Sequence, residues 1–140
     1  MRKREELIEI KSYTEEGYQP VIDFNSWRVA VLNYCEELLV ENIDKMQKHN
    51  QTDEVFILLK GECTLFLAEG KEEIENIYAQ KMEPFKLYNI KKSVWHTHTL
   101  SKEAMVLIVE NQDTDLSNSP EIDLNQNQQQ RLVELSQNLS

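Results

Sequence analysis

The chain is short of positive charge, of cysteine and of long apolar runs, and each shortage excludes something. Only 15 lysines and arginines stand against 25 acidic residues, a formal net charge of -10 at pH 7. That leaves no broad basic surface for phosphate neutralisation, so nucleic acid and anionic membrane are disfavoured as partners. No stretch approaches the roughly 18 apolar residues of a membrane helix. The basic start Arg2, Lys3, Arg4 leads into Glu5 and Glu6 rather than an apolar signal core, so a cytoplasmic location is expected. Cysteine occurs twice, at Cys35 and Cys63, without zinc-site spacing or a disulfide framework. Both lie in strand-like sequence and are read as reduced core thiols. At 140 residues there is room for one domain with a real core and too little for two.

What is present is a series of short strand patterns. Residues 7–10 read as a strand, and Gly17, Tyr18, Gln19, Pro20 as turn chemistry that closes an N-terminal arm, residues 1–20. Residues 27–34 put Trp27, Val29 and Val31 on one face and Ala30, Leu32 and Tyr34 on the other. Residues 36–43 are read as an irregular strand, because Leu38, Leu39, Val40 and Ile43 fit neither the strand nor the helix period. Residues 54–59 and 62–68 are two strand arms joined at Lys60, Gly61, Glu62, where the glycine allows a tight turn with positive φ. Further strands are expected at 74–78, 86–90 and 94–99, the last with His96 and His98 on one face and Trp95 on the other. Residues 104–109 form an apolar run of the kind buried on both faces. Many short strands at regular spacing predict an all-β sandwich or barrel, here over residues 21–111. Beyond it, residues 112–140 form a polar linker and a C-terminal helix. The helix is expected to start at Ser119 and Pro120 and to dock on its own barrel through Leu132, Leu135 and Leu139, a dimer contact or a frayed tail being the alternatives.

The candidate chemistry sits at two places. One is the polar stretch Lys48, His49, Asn50 leading into Glu54, at the start of a strand that ends on Gly61; the other is the strand carrying His96 and His98. These segments resemble the two motifs of the cupin family, small β-barrels that commonly hold a metal or a small ligand. The first motif is His-x-His, three or four residues, a glutamate, six residues and a glycine. Glu54 and Gly61 match it; at the shorter spacing the histidine positions fall on Lys48 and Asn50, with His49 one residue out of register. The second motif, Pro-x-Gly-x-x-His-x-x-x-Asn, aligns on Lys91, Ser93, His96 and Leu100 and keeps the histidine alone. The resemblance implies a double-stranded β-helix, or jelly-roll barrel. It also implies a site in which three imidazoles and a carboxylate hold a divalent metal ion and leave positions open for ligand.

On that reading the catalytic pair is Glu54 and His96. The metal set is Glu54, His96, His98 and, if the turn before Glu54 is rearranged, His49. Lys48, Asn50, His98 and Tyr88 are ligand contacts. The plain structural alternatives are an ion pair between Glu54 and Lys48, strand histidines bonded to threonines, and core or rim roles for Phe56, Tyr88 and Trp27. Three functions follow. The first is a barrel that binds a small polar ligand, such as a carboxylate or sugar, without catalysis. The second is a metal-assisted or Glu/His acid–base enzyme of lyase, isomerase or amidohydrolase type, since Val94, Trp95, His96 resembles a run in ureidoglycolate lyases. The third is a dimeric interaction module; the family resemblance implies a homodimer paired through sheet edges.

Overall fold

The computed structural model describes residues 1–138. Ten strands build two five-stranded antiparallel sheets that face each other as a jelly-roll barrel; the strand spacing predicts a sandwich or barrel, and the cupin resemblance implies the jelly roll. In chain order the strands are β1 (Gly17–Phe24), β2 (Trp27–Asn33), β3 (Lys45–Gln47), β4 (Glu54–Lys60), β5 (Cys63–Ala68), β6 (Ile77–Lys81), β7 (Leu87–Ile90), β8 (Trp95–Leu100), β9 (Met105–Asn111) and β10 (Glu121–Asp123). One sheet runs β1-β2-β9-β4-β7, the other β10-β3-β8-β5-β6. Two helices flank them, α1 (Arg4–Leu7) and α2 (Gln126–Gln137).

Alternation along each strand decides what enters the barrel. In β4, Glu54, Phe56 and Leu58 are buried while Val55 and Ile57 are half-buried on the outer face. In β9, Val106, Ile108 and Glu110 form the buried face, so this run has one fully buried side and one half-buried side rather than two buried ones. The β4–β5 turn needs its glycine: Gly61 has φ +75°, and a Cβ there would come within 2.5 Å of the Ala104 Cα. Phe56, Leu58, Leu65, Leu100, Val106 and Ile108 fill the space between the sheets. A second apolar cluster lies on the outer face of the β3–β8–β5 sheet. There Met46, Phe66 and Trp95 meet Leu124 and the fully buried Leu132 of α2. The C-terminal helix thus docks on its own barrel through Leu132 and Leu135; Leu139 lies outside the described residues.

Several local expectations give way. Residues 7–10 are no strand: α1 ends at Leu7, and Ile8 and Ile10 are 58% and 82% exposed, because no neighbouring strand takes up their backbone. Gly17 to Pro20 is not a turn but the start of β1, paired with β2 from Gly17↔Asn33 onward. Proline is tolerated there because β1 is an edge strand. Residues 36–43 form two 3₁₀ turns, Glu36–Leu38 and Val40–Asn42, a three-residue period that explains why their apolar residues matched neither of the commoner ones. The strand placed at 74–78 begins at Ile77, while Ile74 packs in the second cluster. Ser119 and Pro120 do not open the helix; they lead into β10, which pairs with β3. The cap is Asn125, whose Oδ1 accepts from Gln128 N at 2.8 Å while Gln128 Oε1 accepts from Asn125 N at 2.9 Å. Cys63 is a buried free thiol, pushed up to about 12 by burial, and Cys35 is free and half-buried.

Candidate functional site

Strand pairing brings the polar residues together at one end of the barrel. β3 joins β8 at Gln47↔His96, which sets both side chains toward the interior. The inward alternation continues past the end of β3, so His49 also faces in and is 7% exposed. Glu54 enters at the first position of β4 and is 5% exposed. β2 and β9 add Arg28 and Glu110, which are register partners. Together with Tyr18, His98, Phe56, Leu32, Ile108 and the segment after β9, these residues line a cavity of about 480 Å³.

At its centre Glu54 stands between two imidazoles. Its Oε1 is 3.0 Å from His96 Nε2 and its Oε2 3.3 Å from His49 Nε2. The far ring nitrogens are tied as well: His96 Nδ1 lies 2.9 Å from the Val94 carbonyl, and His49 Nδ1 lies 2.7 Å from Ser119 Oγ. A carbonyl only accepts, so His96 carries its proton on Nδ1. Its Nε2 then faces a carboxylate oxygen at 3.0 Å, and two bare acceptors so close repel. A proton or a metal cation must lie between them.

Charge in the cavity is arranged in two halves. Burial opposes ionisation of Glu54, but hydrogen bonds from His49 and His96 overcome it and hold this carboxyl well below the usual range. His49 shows the complement: burial works against its charged form, yet the Glu54 hydrogen bond and charge leave its pKa raised. Glu110 behaves oppositely. Burial, reinforced by the hydrogen bond and charge of Glu54, pushes it up to about 7, although Tyr18 and Arg28 counteract this. Tyr18 donates its hydroxyl to Glu110 Oε2 at 2.5 Å and Arg28 Nε donates at 2.8 Å. The Tyr18 hydroxyl is itself held above its ordinary range, by burial first and then by Glu110. Arg28 also donates to the carbonyls of Gln112 and Thr114, clasping the segment that borders the cavity mouth. His98, two positions along β8 from His96, is pushed down to about 4 by burial, with the charge of His96 adding to it. Its buried Nδ1 has no hydrogen-bond partner among the described residues.

His49, Glu54 and His96 each offer a donor atom, and these atoms all lie within 4.8 Å of one another. The set fits a divalent ion: two imidazoles held by their Nδ1 atoms, with both Nε2 atoms converging on one carboxylate. His98 lines the same cavity but stands outside this group. Lys48, Asn50 and Tyr88 do not line the cavity. Lys48 Nζ sits outside the barrel, 4.6 Å above the Trp95 ring. Asn50 is exposed and accepts from Ser93 Oγ at 3.0 Å, and the Tyr88 hydroxyl accepts from Glu83 N at 2.9 Å. Trp95 packs in the outer cluster, opposite His96.

Signals for the inward place of His49, and for Gln47, Arg28 and Glu110, which the sequence reading passed over, were present. The longer, four-residue spacing before Glu54 puts the two imidazole positions of the motif on Gln47 and His49, the pair that faces inward. Arg28 shares a strand face with Ala30 and Leu32, and Glu110 continues the face of Val106 and Ile108. A charged residue at an inward position is the mark both carry. Ser119 and Tyr18 have no such local mark.

No family model matches the chain, and no curated protein does. Solved structures do match. Pac13 from Streptomyces, a nucleoside dehydratase, here with uridine, aligns over 80% of this chain and 83% of its own at a TM-score of 0.53 and 13% identity. The TDP-fucose-3,4-ketoisomerase WlaRA from Campylobacter jejuni aligns over 69% of this chain and 67% of its own, with a TM-score of 0.51 and 19% identity. The 3,4-ketoisomerase QdtA from Thermoanaerobacterium thermosaccharolyticum, as a variant in complex with TDP-4-keto-6-deoxyglucose, aligns over 66% of this chain and 63% of its own, with a TM-score of 0.52 and 16% identity. These are cupin-fold proteins, and this chain has the cupin fold.

Proposed function

We propose that the barrel binds a small, polar, sugar-like molecule and acts on it by proton transfer, as a lyase or isomerase. The observation that carries this reading is Glu54 held between His49 and His96 in the wall of a cavity of about 480 Å³. Leu32, Phe56, Ile108 and Leu116 offer an apolar wall for the face of a sugar ring, while Glu54, Glu110, His49 and His96 offer polar atoms to its hydroxyls. Glu54, held ionised, and Glu110, whose carboxyl is pushed up to about 7, put an acceptor and a group that exchanges its proton near neutrality in one cavity, the pairing that acid–base work on a carbon next to a carbonyl requires. The dehydratase and ketoisomerases among the structural neighbours act on molecules of this kind by their names, which supports the choice of class. A divalent ion held by His49, Glu54 and His96 would polarise a carbonyl or hydroxyl of the ligand. Arg28 steadies Glu110 and the cavity border whether or not an ion is bound. The test is thermal melting of the protein against a panel of uridine, nucleotide-linked 4-keto sugars and free sugars. A rise for at least one member, lost in Glu54→Gln, is expected; a flat response across the panel would sink the reading.

A second reading concerns assembly. Among the described residues β1 pairs with β2 alone and leaves its outer edge open, and Phe24 and its register partner Trp27 are 62% and 43% exposed. Two such edges meeting would cover backbone and apolar surface together, which favours a homodimer. Light scattering should give twice the 16.5 kDa chain mass, falling to one chain in a Phe24→Lys, Trp27→Lys double variant. A monomeric wild type would rule this interface out.

A further inference from the structure

Ser119 is 1% exposed and lies just before β10, where the segment that borders the cavity returns to the barrel. Its place is set by backbone pairing. Lys48 N donates to the Pro120 carbonyl at 3.1 Å and Asn50 N to the Asn118 carbonyl at 3.0 Å, so residues 118–120 run beside 48–50 as an extension of the β3–β10 ladder. Across this ladder Ser119 Oγ meets His49 Nδ1 at 2.7 Å.

The direction of that hydrogen bond follows from its neighbours. Asn118 Nδ2 donates to the Asp113 carbonyl at 3.0 Å, which identifies the other atom of that amide as oxygen. This oxygen accepts from Asp115 N at 3.1 Å and from Ser119 Oγ at 2.9 Å. A hydroxyl has a single proton, and here Asn118 receives it. Ser119 therefore turns a lone pair toward His49, and His49 Nδ1 must be the donor. With Nδ1 protonated, the lone pair available for coordination is on Nε2, the nitrogen that faces Glu54. The Val94 carbonyl imposes the same state on His96.

We propose that Ser119 is a positioning residue for the cluster: with Asn118 it fixes His49 in the Nδ1–H form, so that Nε2 is presented to a divalent ion shared with Glu54 and His96. This rests on the reading of the cluster as a metal-capable site, and it makes the segment after β9 part of that site although it contributes no ligand. Partners of this kind hold ring orientation and tautomer, and their loss typically lowers metal affinity about 10- to 100-fold.

Titration of the full-length protein with Zn²⁺ tests the proposal. The wild type should take up one Zn²⁺, and Ser119→Ala should bind at least about tenfold more weakly, the lower end of that range. Ser119→Thr, which keeps the hydroxyl, should recover the affinity. Asn118→Ala, a change at a half-buried side chain, frees the Ser119 proton to point at His49 and should weaken Zn²⁺ in the same direction; it stands in if Ser119→Ala does not fold. Long-range ¹H–¹⁵N spectra of the zinc-loaded wild type should find His49 protonated at Nδ1 and coordinated through Nε2. Equal Zn²⁺ affinity in folded wild type and Ser119→Ala, or coordination of His49 through Nδ1, overturns the role of Ser119 and leaves the metal site standing. A wild type that binds no Zn²⁺ overturns both.

Discussion

Strand β8 serves two regions of opposite character. Its outer face sends Trp95 into a dry cluster with Phe66, Met46 and Leu132, while its inner face sends His96 and His98 into the polar end of the barrel. On the outer side α2 acts as a lid of side chains, and stability comes from excluded water. The inner side keeps a cavity, several ionisable groups and an imidazole nitrogen without a partner among the described residues. A fold that needed only stability would fill that end with apolar side chains. The difference teaches that a single strand, through its period of two, holds a rigid backing and a reactive front in fixed register.

The comparison is broken most severely at its dry side. Leu132→Ala leaves a void at a fully buried position and should cost about 2–5 kcal/mol of unfolding free energy by denaturant titration, while Zn²⁺ affinity stays near the wild-type value. Glu54→Gln reverses the pattern. The chain should remain folded at 25 °C, but Zn²⁺ binding and any proton-transfer turnover should fall by about 100-fold or more, since the shared anion of both imidazoles is gone.

A smaller effect sharpens the inner side. His98 is held at about 4 against an ordinary 6.5, so the unfolded chain takes up its proton more readily than the folded one. Its neutral state supports folding fully above pH 6.5, and that support is lost as the pH falls from 6.5 toward 4. Melting temperatures measured over this window should drop less steeply in His98→Leu than in the wild type; parallel curves would contradict the burial of this imidazole. Smallest is Lys48→Ala, which uncovers the Trp95 ring and should cost about 0.5–1 kcal/mol without altering ligand or Zn²⁺ binding, because Lys48 lies on the outer side of the barrel wall.

Much of this is legible in the chain. Period-two alternation at 54–59, 62–68 and 94–99 yields strands β4, β5 and β8 and sets His96 and His98 apart from Trp95. β3 and β10, three residues each, are too short to show a period. Missing β3 hid the register that carries inward alternation from Gln47 to His49. The shorter motif spacing then put Lys48 and Asn50 at positions that face outward.

The sequence by itself determined an all-β sandwich or barrel, because alternation, Gly61 and the turn residues act over a few neighbours and require no knowledge of partners. It also determined that Glu54 and His96 point inward. Only the tertiary structure decided which groups stand beside them. Glu110 meets Arg28 and Tyr18 across strands 82 and 92 residues apart in the chain, and His49 meets Ser119 across 70. Such encounters follow from antiparallel pairing between distant strands, where a one-residue change of register turns every side chain to the other face. The inward set is a local property of each strand, whereas the cluster around Glu54 is a property of their pairing.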